Sequence, residues 1–542
     1  MKKLFYLLIL VFIYTSISAQ NGDNRNWHHL DLTKDSLYGV STHTAYEKLI
    51  KDKKGETVIV AILDSGVDYD HEDLKDVMWV NEDEIPGNNI DDDGNGYVDD
   101  IHGWNFIGGK DGQNVNADSY EVTRLYAKMK YKFEGIDSTK LNKDQMKEFK
   151  FFQKIKNEVV SNAEKAKANY ERIESQRDNL LESIAKIAGI LGDKKITAEN
   201  LEAIDPGEDE KLIMGKQVLL GLLGSGEEIE SIEDVNETIN SGYNRGLEYY
   251  GGQFKHGYNP DFDPRSIVGD DYSNSYEKGY GNNIYDGPDA SHGTHVAGIV
   301  AATRNNGLGM DGIANNVKIM TIRAVPDGDE RDKDVANGII YAADNGASII
   351  NMSFGKLYSW DKEAVDKAVK YAKKKDVLIV HAAGNNAADN DKIDHYPVEK
   401  YEKASFCKPK RANNWMEVGA LSFKQGADFS ATFSNYGKEE VDLFAPGVAI
   451  YSTVPDNGYA SFQGTSMAAP VAAGVAAMVR SYFPELSAKE VKEVLMNSVT
   501  PVDAMVIKPG TKDEMVNFSE LSVSGGVVNL YNALLEAARV TR

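Results

Sequence analysis

The stretch TVIVAIL at residues 57–63, closed by Asp64, decides the fold. A near-continuous β-branched run of this length reads as a strand buried on both faces, the pattern of a parallel sheet. The same rhythm resumes after residue 290. A helix begins near His292, a strand follows at VKIMTIR (317–323), then a helix around Asp332 to Asn345 and a strand from Ser348 to Met352. A helix around Lys362 to Lys374 and a strand from Val377 to Ala382 continue the series. Strands and helices alternating at these lengths predict an α/β fold with a doubly wound, mainly parallel sheet. Reactive groups in such sheets gather at the carboxyl ends of strands, where Asp64 stands.

A different kind of sequence separates the two parts. No proline occurs between Pro86 and Pro206, and a charged stretch runs from Asn142 to Leu191. Within it Phe152, Val159, Ala166, Ile173, Leu180 and Ile187 recur every seven positions, with Phe149, Ala163, Tyr170, Ile184 and Leu191 on a neighbouring stripe. This predicts a long amphipathic helix, started by Asn142 with Gln145 and stopped at Gly192. Shorter helical patterns at 119–133, 208–223 and 227–249 can pack against it. The expected organisation is a signal peptide at 1–19, an N-terminal part of the main domain at 20–115, an inserted α-helical hairpin or bundle at 116–250, and the remainder of the main domain at 251–542. The insert's stripe is read as internal packing ahead of a partner-binding surface.

The chain of 542 residues carries 84 acidic against 60 basic side chains, a formal charge of −24, which disfavours nucleic acid and anionic membranes as partners. Lys2 and Lys3 precede an apolar run from Leu4 to Tyr14 and the small residues Ser16, Ser18 and Ala19. That is the form of a secretory signal peptide, with an apolar run shorter than the roughly 20 residues of a membrane span. The expectation is export to the periplasm or the medium, with no membrane span once the signal is removed. Cys407 is the only cysteine, so no intramolecular disulfide forms, and no base or orienting acid accompanies it. The oligomeric state has no signal in the sequence.

Three segments carry chemistry: DSG at 64–66, SHGTHVAG at 291–298 and GTSMAAP at 464–470. A serine hydroxyl is a poor nucleophile until a base of near-neutral pKa lies within reach, and that base needs a carboxylate to fix its tautomer. Ser466, His292 and Asp64 supply those three roles. The helix start behind Ser466 adds backbone donors where an oxyanion forms, and Pro470 is expected in that helix's first turn, where no N–H is needed. His292 and His295 together do not read as a metal pair, because no acidic third ligand accompanies them.

Together DSG, HGTHVAG (292–298) and GTSMAAP resemble the subtilisin-like serine peptidases, the subtilases, and the chain order Asp, His, Ser is that of the family. The resemblance spans roughly residues 40–75 and 285–540. It implies a subtilisin-like sheet and a secreted serine endopeptidase that cuts protein or peptide substrates through an acyl-enzyme on Ser466, with no catalytic cofactor. It further implies that Asn385, in AAGN at 382–385, donates to the oxyanion. Ser353, Phe354 and Gly355 resemble the substrate-binding segment, with Lys356 where a second glycine is common, and Tyr396-Pro397 resembles the far wall of the specificity pocket. Two departures stand out. His292 lies 228 positions after Asp64 instead of a few tens, and the stretch between Gln20 and Asp64 is too short for both the usual propeptide and the mature N-terminal segment.

A second site follows from spacing. Asn89, Asp91, Asp93, Gly94 and Asp100 match positions 1, 3, 5, 6 and 12 of an EF-like calcium loop, with Asp in place of the usual final Glu. A structural calcium there is the expectation, against an acidic surface turn. Asp73 and Asn306 resemble residues of another calcium site in subtilisins. Two further functional readings stay open beside the endopeptidase: a processing or peptide-ligating enzyme whose insert restricts access, and a binding module with a residual triad.

Overall fold

Strand β1 (Val58–Asp64) lies inside a nine-stranded sheet, in a computed structural model that describes residues 24–51, 53–225, 229–403 and 410–542. The expected signal peptide and Cys407 lie outside the described residues. In chain order the other strands are β2 (Gly103–Asn105), β3 (Val317–Arg323), β4 (Ile349–Met352), β5 (Leu378–Ala382), β6 (Trp415–Leu421) and β7 (Leu443–Pro446). A hairpin of β8 (Ile450–Val454) and β9 (Gly458–Phe462) follows, then β10 (Thr500–Pro501), β11 (Met505–Ile507), β12 (Met515–Asn517) and β13 (Gly526–Val527). The sheet order is β10-β13-β7-β6-β5-β4-β1-β3-β2. Every pairing in it is parallel except β10 with β13 at one edge. The mainly parallel α/β architecture expected from the sequence is therefore the one observed.

The alternation along β1 shows why the sheet is doubly covered. Val58, Val60 and Ile62 join a core with residues of the helices Ser291–Ala301 and Thr465–Tyr482. Ala61 and Leu63 point the other way, into a core with the helices Asp332–Asp344 and Lys362–Lys374. Burying an aliphatic side chain of this size stabilises by about 1.5–3 kcal/mol, and both faces of the strand contribute. Register then sets the site. Asp64 pairs with Arg323 at the carboxyl ends of β1 and β3, and Met352 ends β4 beside Leu63.

The described chain divides into two compact units, one of Asp23–Val122 with Asp263–Arg542 and one of Thr123–Phe262. The second is helical. Its longest element, Lys143–Leu191, is 49 residues, which at 1.5 Å per residue is about 70 Å. Asn142 and Gln145 form a capping box at its start, and Gly192 caps its end. Phe152, Val159, Ala166, Leu180 and Ile187 of the seven-residue stripe are buried, and Ile173 is half-buried. Leu180, Ile184 and Ile187 pack with Leu219 of helix Glu210–Gly224 and with Val235 and Ile239 of helix Ile232–Gly252. The unit extends past residue 250 because that last helix continues through a helical turn to Gly257.

Gly215 marks a close approach of these helices, since a Cβ there would stand 2.4 Å from the Ser183 carbonyl oxygen. Gly215→Val must push the Glu210–Gly224 helix off its neighbour, at an overpacking cost of about 1–3 kcal/mol. The expected result is faster tryptic cleavage between residues 123 and 262 than in the parent protein. Unchanged cleavage would mean that the helices separate freely.

Candidate active site

Asp64 ends β1 with its side chain 2% exposed, and its Oδ1 lies 2.7 Å from Nδ1 of His292. The same oxygen accepts the Ser65 N–H at 2.8 Å. His292 opens the helix Ser291–Ala301, and the next residue explains how close that helix comes. A Cβ on Gly293 would stand 2.0 Å from the Gly66 carbonyl oxygen, so only glycine lets the helix start against the Asp64 turn. The imidazole is 39% exposed, leaving its other edge accessible. Burial of the ring disfavours its charged form, but the Asp64 charge and hydrogen bond, with Asp289 behind them, outweigh that and hold His292 above the ordinary histidine value.

Ser466 is the second residue of the helix Thr465–Tyr482. Gly464 before it has φ +155°, a conformation that favours glycine, and a Cβ there would stand 3.5 Å from both Asn385 Nδ2 and the Ser466 backbone nitrogen. Those two donors thus border one space. Asn385 is fixed by its oxygen, which accepts from the Thr465 N–H at 2.8 Å and from the Thr465 hydroxyl at 3.1 Å, so the amide nitrogen is the end left to donate. Asn435, which no motif signals, secures the loop. Its Oδ1 accepts the Asn386 and Ala388 N–H groups and its Nδ2 donates to the Ala383 carbonyl.

The Ser466 hydroxyl donates to the Ser353 carbonyl at 3.0 Å, and among the described residues it makes no hydrogen bond to His292. Pro470 corrects the sequence expectation. It is the sixth residue of its helix, beyond the first turn, and lacks the N–H that would have reached the Ser466 carbonyl. The Ser353 hydroxyl takes that place, donating to Ser466 O at 2.9 Å. Ser353 and Ser466 are therefore joined twice.

The segment Ser353, Phe354 and Gly355 leaves β4 beside Ser466. Lys356 and Tyr396 exchange backbone hydrogen bonds of 2.9 and 2.7 Å, which brings Tyr396-Pro397 opposite that segment. The Lys356 ammonium turns inward to Glu121 and Asp332, each at 2.7 Å, and to the Glu330 carbonyl at 2.6 Å. That buried ionic anchor accounts for lysine where the resemblance led us to expect glycine. His395 stands between the two walls: a Cβ on Gly355 would meet its ring at 2.2 Å, and one on Gly384 at 2.9 Å. Burial, aided by nearby His381, lowers His395 to about 4 and keeps it neutral.

In the acidic loop, oxygens of Asp93 and Asp100 converge with one from Glu84, all within 4.8 Å of one another. Asp91 is outside this group; its carboxylate accepts the Asn95 and Gly96 N–H groups and closes the turn. The Asn89 N–H is bound by Asp99. Glu84 was not legible, because it precedes the twelve-residue pattern by five positions. Burial raises Asp100 to about 6 despite hydrogen bonds from Tyr341, Asn81 and Asn95, so this carboxylate sits where a counter-cation is favoured. An all-oxygen set of this kind fits calcium. A cavity of about 690 Å³ lined by Trp79, Asn81, Asp93, Asn95 and Asp344 opens beside it, and its lining includes none of Asp64, His292 and Ser466. Asp73 and Asn306 do meet, with the Asn306 amide donating to Asp73 at 2.6 Å. His295 is engaged elsewhere, its Nε2 3.1 Å from the Ala460 carbonyl and its ring stacked on Phe462 at 4.3 Å.

The mainly parallel sheet thus defines an α/β protein with an aspartate, a histidine and a serine at the carboxyl ends of its strands, and comparison gives it a family. The subtilase family of peptidases (peptidase S8) matches residues 55–520, and the chain belongs to it. Over 224 residues it is 41% identical to a thermophilic serine proteinase of Bacillus sp. (strain AK1), covering 41% of this chain and 49% of that protein. Over 219 residues it is 41% identical to alkaline elastase YaB of Bacillus sp. (strain YaB), covering 40% of this chain and 52% of that one. Subtilisin DY of Bacillus licheniformis is 38% identical over 213 residues, 39% of this chain and 70% of the relative. The chain thus spans about half the length of the first two relatives.

The His292 environment is directly measurable. In a Ser466→Ala background, NMR titration should place the His292 pKa above the usual 6.5, and Asp64→Asn should lower it, since the charge is removed while the burial remains. The charged pair contributes stability that is complete below the unfolded value near 6.5 and is lost as pH rises through the elevated folded value. An Asp64→Asn titration identical to the parent's would show that the pair is not coupled.

Proposed function

We propose that this chain is an exported serine endopeptidase that hydrolyses peptide bonds through an acyl-enzyme on Ser466. The observation that carries this is the 2.7 Å contact of His292 with a buried Asp64, in one unit with a Ser466 whose backbone N–H borders the Asn385 amide. Rotation about its Cα–Cβ bond takes the Ser466 hydroxyl from the Ser353 carbonyl toward the outer nitrogen of His292. Oγ attacks the substrate carbonyl carbon as its proton passes to His292. The oxyanion is met by the Asn385 amide and the Ser466 N–H, which at a helix start has no intrahelical acceptor. The C–N bond then breaks, His292 returns the proton to the leaving amine, and water activated by the same ring releases the acyl group. Asp64 keeps the Nδ1–H tautomer and stabilises the imidazolium.

Substrate lies extended against Ser353, Phe354 and Gly355, whose backbone continues from β4 beyond its last strand partner. Export rests on the Lys2-Lys3 and apolar pattern of the first 19 residues; no described helix is long and apolar enough to cross a membrane. Glu84, Asp93 and Asp100 would hold calcium, whose role is to neutralise three carboxylates and fix their loop.

A fluorophosphonate probe should label the purified protein and fail to label Ser466→Ala. Asn385→Ala should lower turnover about 10²–10³-fold with little change in binding. A folded, propeptide-free protein that resists the probe would sink the peptidase reading. For the loop, removing calcium with a chelator should lower the melting temperature of the parent but not of a Glu84→Gln, Asp93→Asn, Asp100→Asn variant. Equal shifts in both would place the calcium elsewhere.

A further inference from the structure

A second cluster lies apart from the Asp64–His292 contact and from the acidic loop. His381 in β5 and Glu417 in β6 are register partners on adjacent parallel strands, so their side chains leave the sheet on the same face. His381 Nδ1 is 2.9 Å from Glu417 Oε2, and that carboxylate is oriented by the Trp415 indole N–H at 2.8 Å. His395 enters from the loop before Tyr396. One ligand atom from each of His381, His395 and Glu417 lies within 4.8 Å of the other two. The three residues are 0%, 6% and 6% exposed, and His381 Nε2 and His395 Nδ1 have no hydrogen-bond partner.

A buried nitrogen without a partner is costly, and His395 Nδ1, beside the His381–Glu417 pair, needs an explanation. We propose that His381, His395 and Glu417 bind a divalent transition ion of the zinc type. Two imidazoles with one carboxylate match the donor preference of zinc, whereas calcium and magnesium take oxygen. The cluster is thus chemically distinct from the acidic loop. Ligands about 2.0–2.2 Å from a tetrahedral ion stand about 3.3–3.6 Å apart. The His381–Glu417 pair is already closer than that, so His395 is the member that moves inward. Zinc at His381 Nδ1 replaces the proton shared with Glu417, which moves to Nε2 of the same ring so that the imidazole stays neutral. Three protein ligands leave one coordination position for water.

The placement gives the ion a task. It would tie two central strands to the segment carrying Tyr396-Pro397, whose backbone is hydrogen-bonded to Lys356 across the substrate-binding segment. The inference does not depend on the Ser466 chemistry: His381 and Glu417 lie within the sheet, and His395 packs on Gly355 and Gly384 beside the substrate-binding segment.

The test uses the full chain carrying Ser466→Ala, stripped by chelation, returned to excess calcium so that oxygen sites are filled, and then incubated with zinc. After gel filtration, elemental analysis should find one zinc per chain. His395→Gln and Glu417→Gln should each weaken zinc binding at least about tenfold, the lower end for disturbed metal shells. Cobalt(II) in the unsubstituted cluster should give the intense visible absorption of a tetrahedral nitrogen and oxygen site, a readout that needs no variant to fold. No retained zinc, a weak octahedral cobalt spectrum, or equal zinc retention in folded His395→Gln and Glu417→Gln proteins would each overturn the assignment.

Discussion

From Val60 to Leu63, β1 is enclosed alternately by the helices Ser291–Ala301 and Thr465–Tyr482 on one side and by Asp332–Asp344 and Lys362–Lys374 on the other. A strand buried on both faces has no solvent side on which to carry a polar group, so its first place for one is the carboxyl end. Asp64 stands there, already holding the Ser65 N–H and the His292 ring. The other elements of the site obey the same constraint. The helices bearing His292 and Ser466 both pack on one face of the sheet, His292 against the end of β1 and Ser466 against the segment that leaves β4.

That arrangement also explains how the chain tolerates 228 positions between Asp64 and His292. The acid belongs to a strand and the histidine to a helix that rests on that strand, and each is placed by the sheet. What lies between them in sequence need only return to the same edge. The helical residues have their own core around Leu180, Ile184, Ile187 and Leu219. A long insertion at a surface connection adds little closure entropy compared with its length.

Much of this was legible because it is local. The alternation of strands and helices, the Asn142–Gln145 box and the Gly192 stop are written in neighbouring residues, and each was observed within a few positions of its expected place. The Asp64–His292 contact and the Asn385–Thr465 contact fall at residues that four short motifs pick out. What was not legible depends on partners remote in sequence. Lys356 was read as a departure from a glycine pattern because Glu121 and Asp332, which hold its ammonium, are far from it along the chain. Asn435 and Glu84 belong to no motif, and Glu417 is one polar residue in an otherwise apolar strand. Pro470 differs for a related reason: with a helix opening beside Ser466 it already lies past the first turn, and the group that takes the freed carbonyl is the hydroxyl of Ser353, remote in sequence.

That proline has a mechanical consequence. A regular helix is indifferent to axial position, since each turn presents the same ladder of satisfied carbonyls. The Thr465–Tyr482 helix is not indifferent, because only the Ser466 carbonyl lacks its ladder donor through Pro470, and only there can the Ser353 hydroxyl dock. The pair acts as an indexing pin. A slip of the helix by one residue would set that hydroxyl against a carbonyl already engaged, so the axial coordinate of Ser466 is read from the neighbouring strand to within the tolerance of one hydrogen bond.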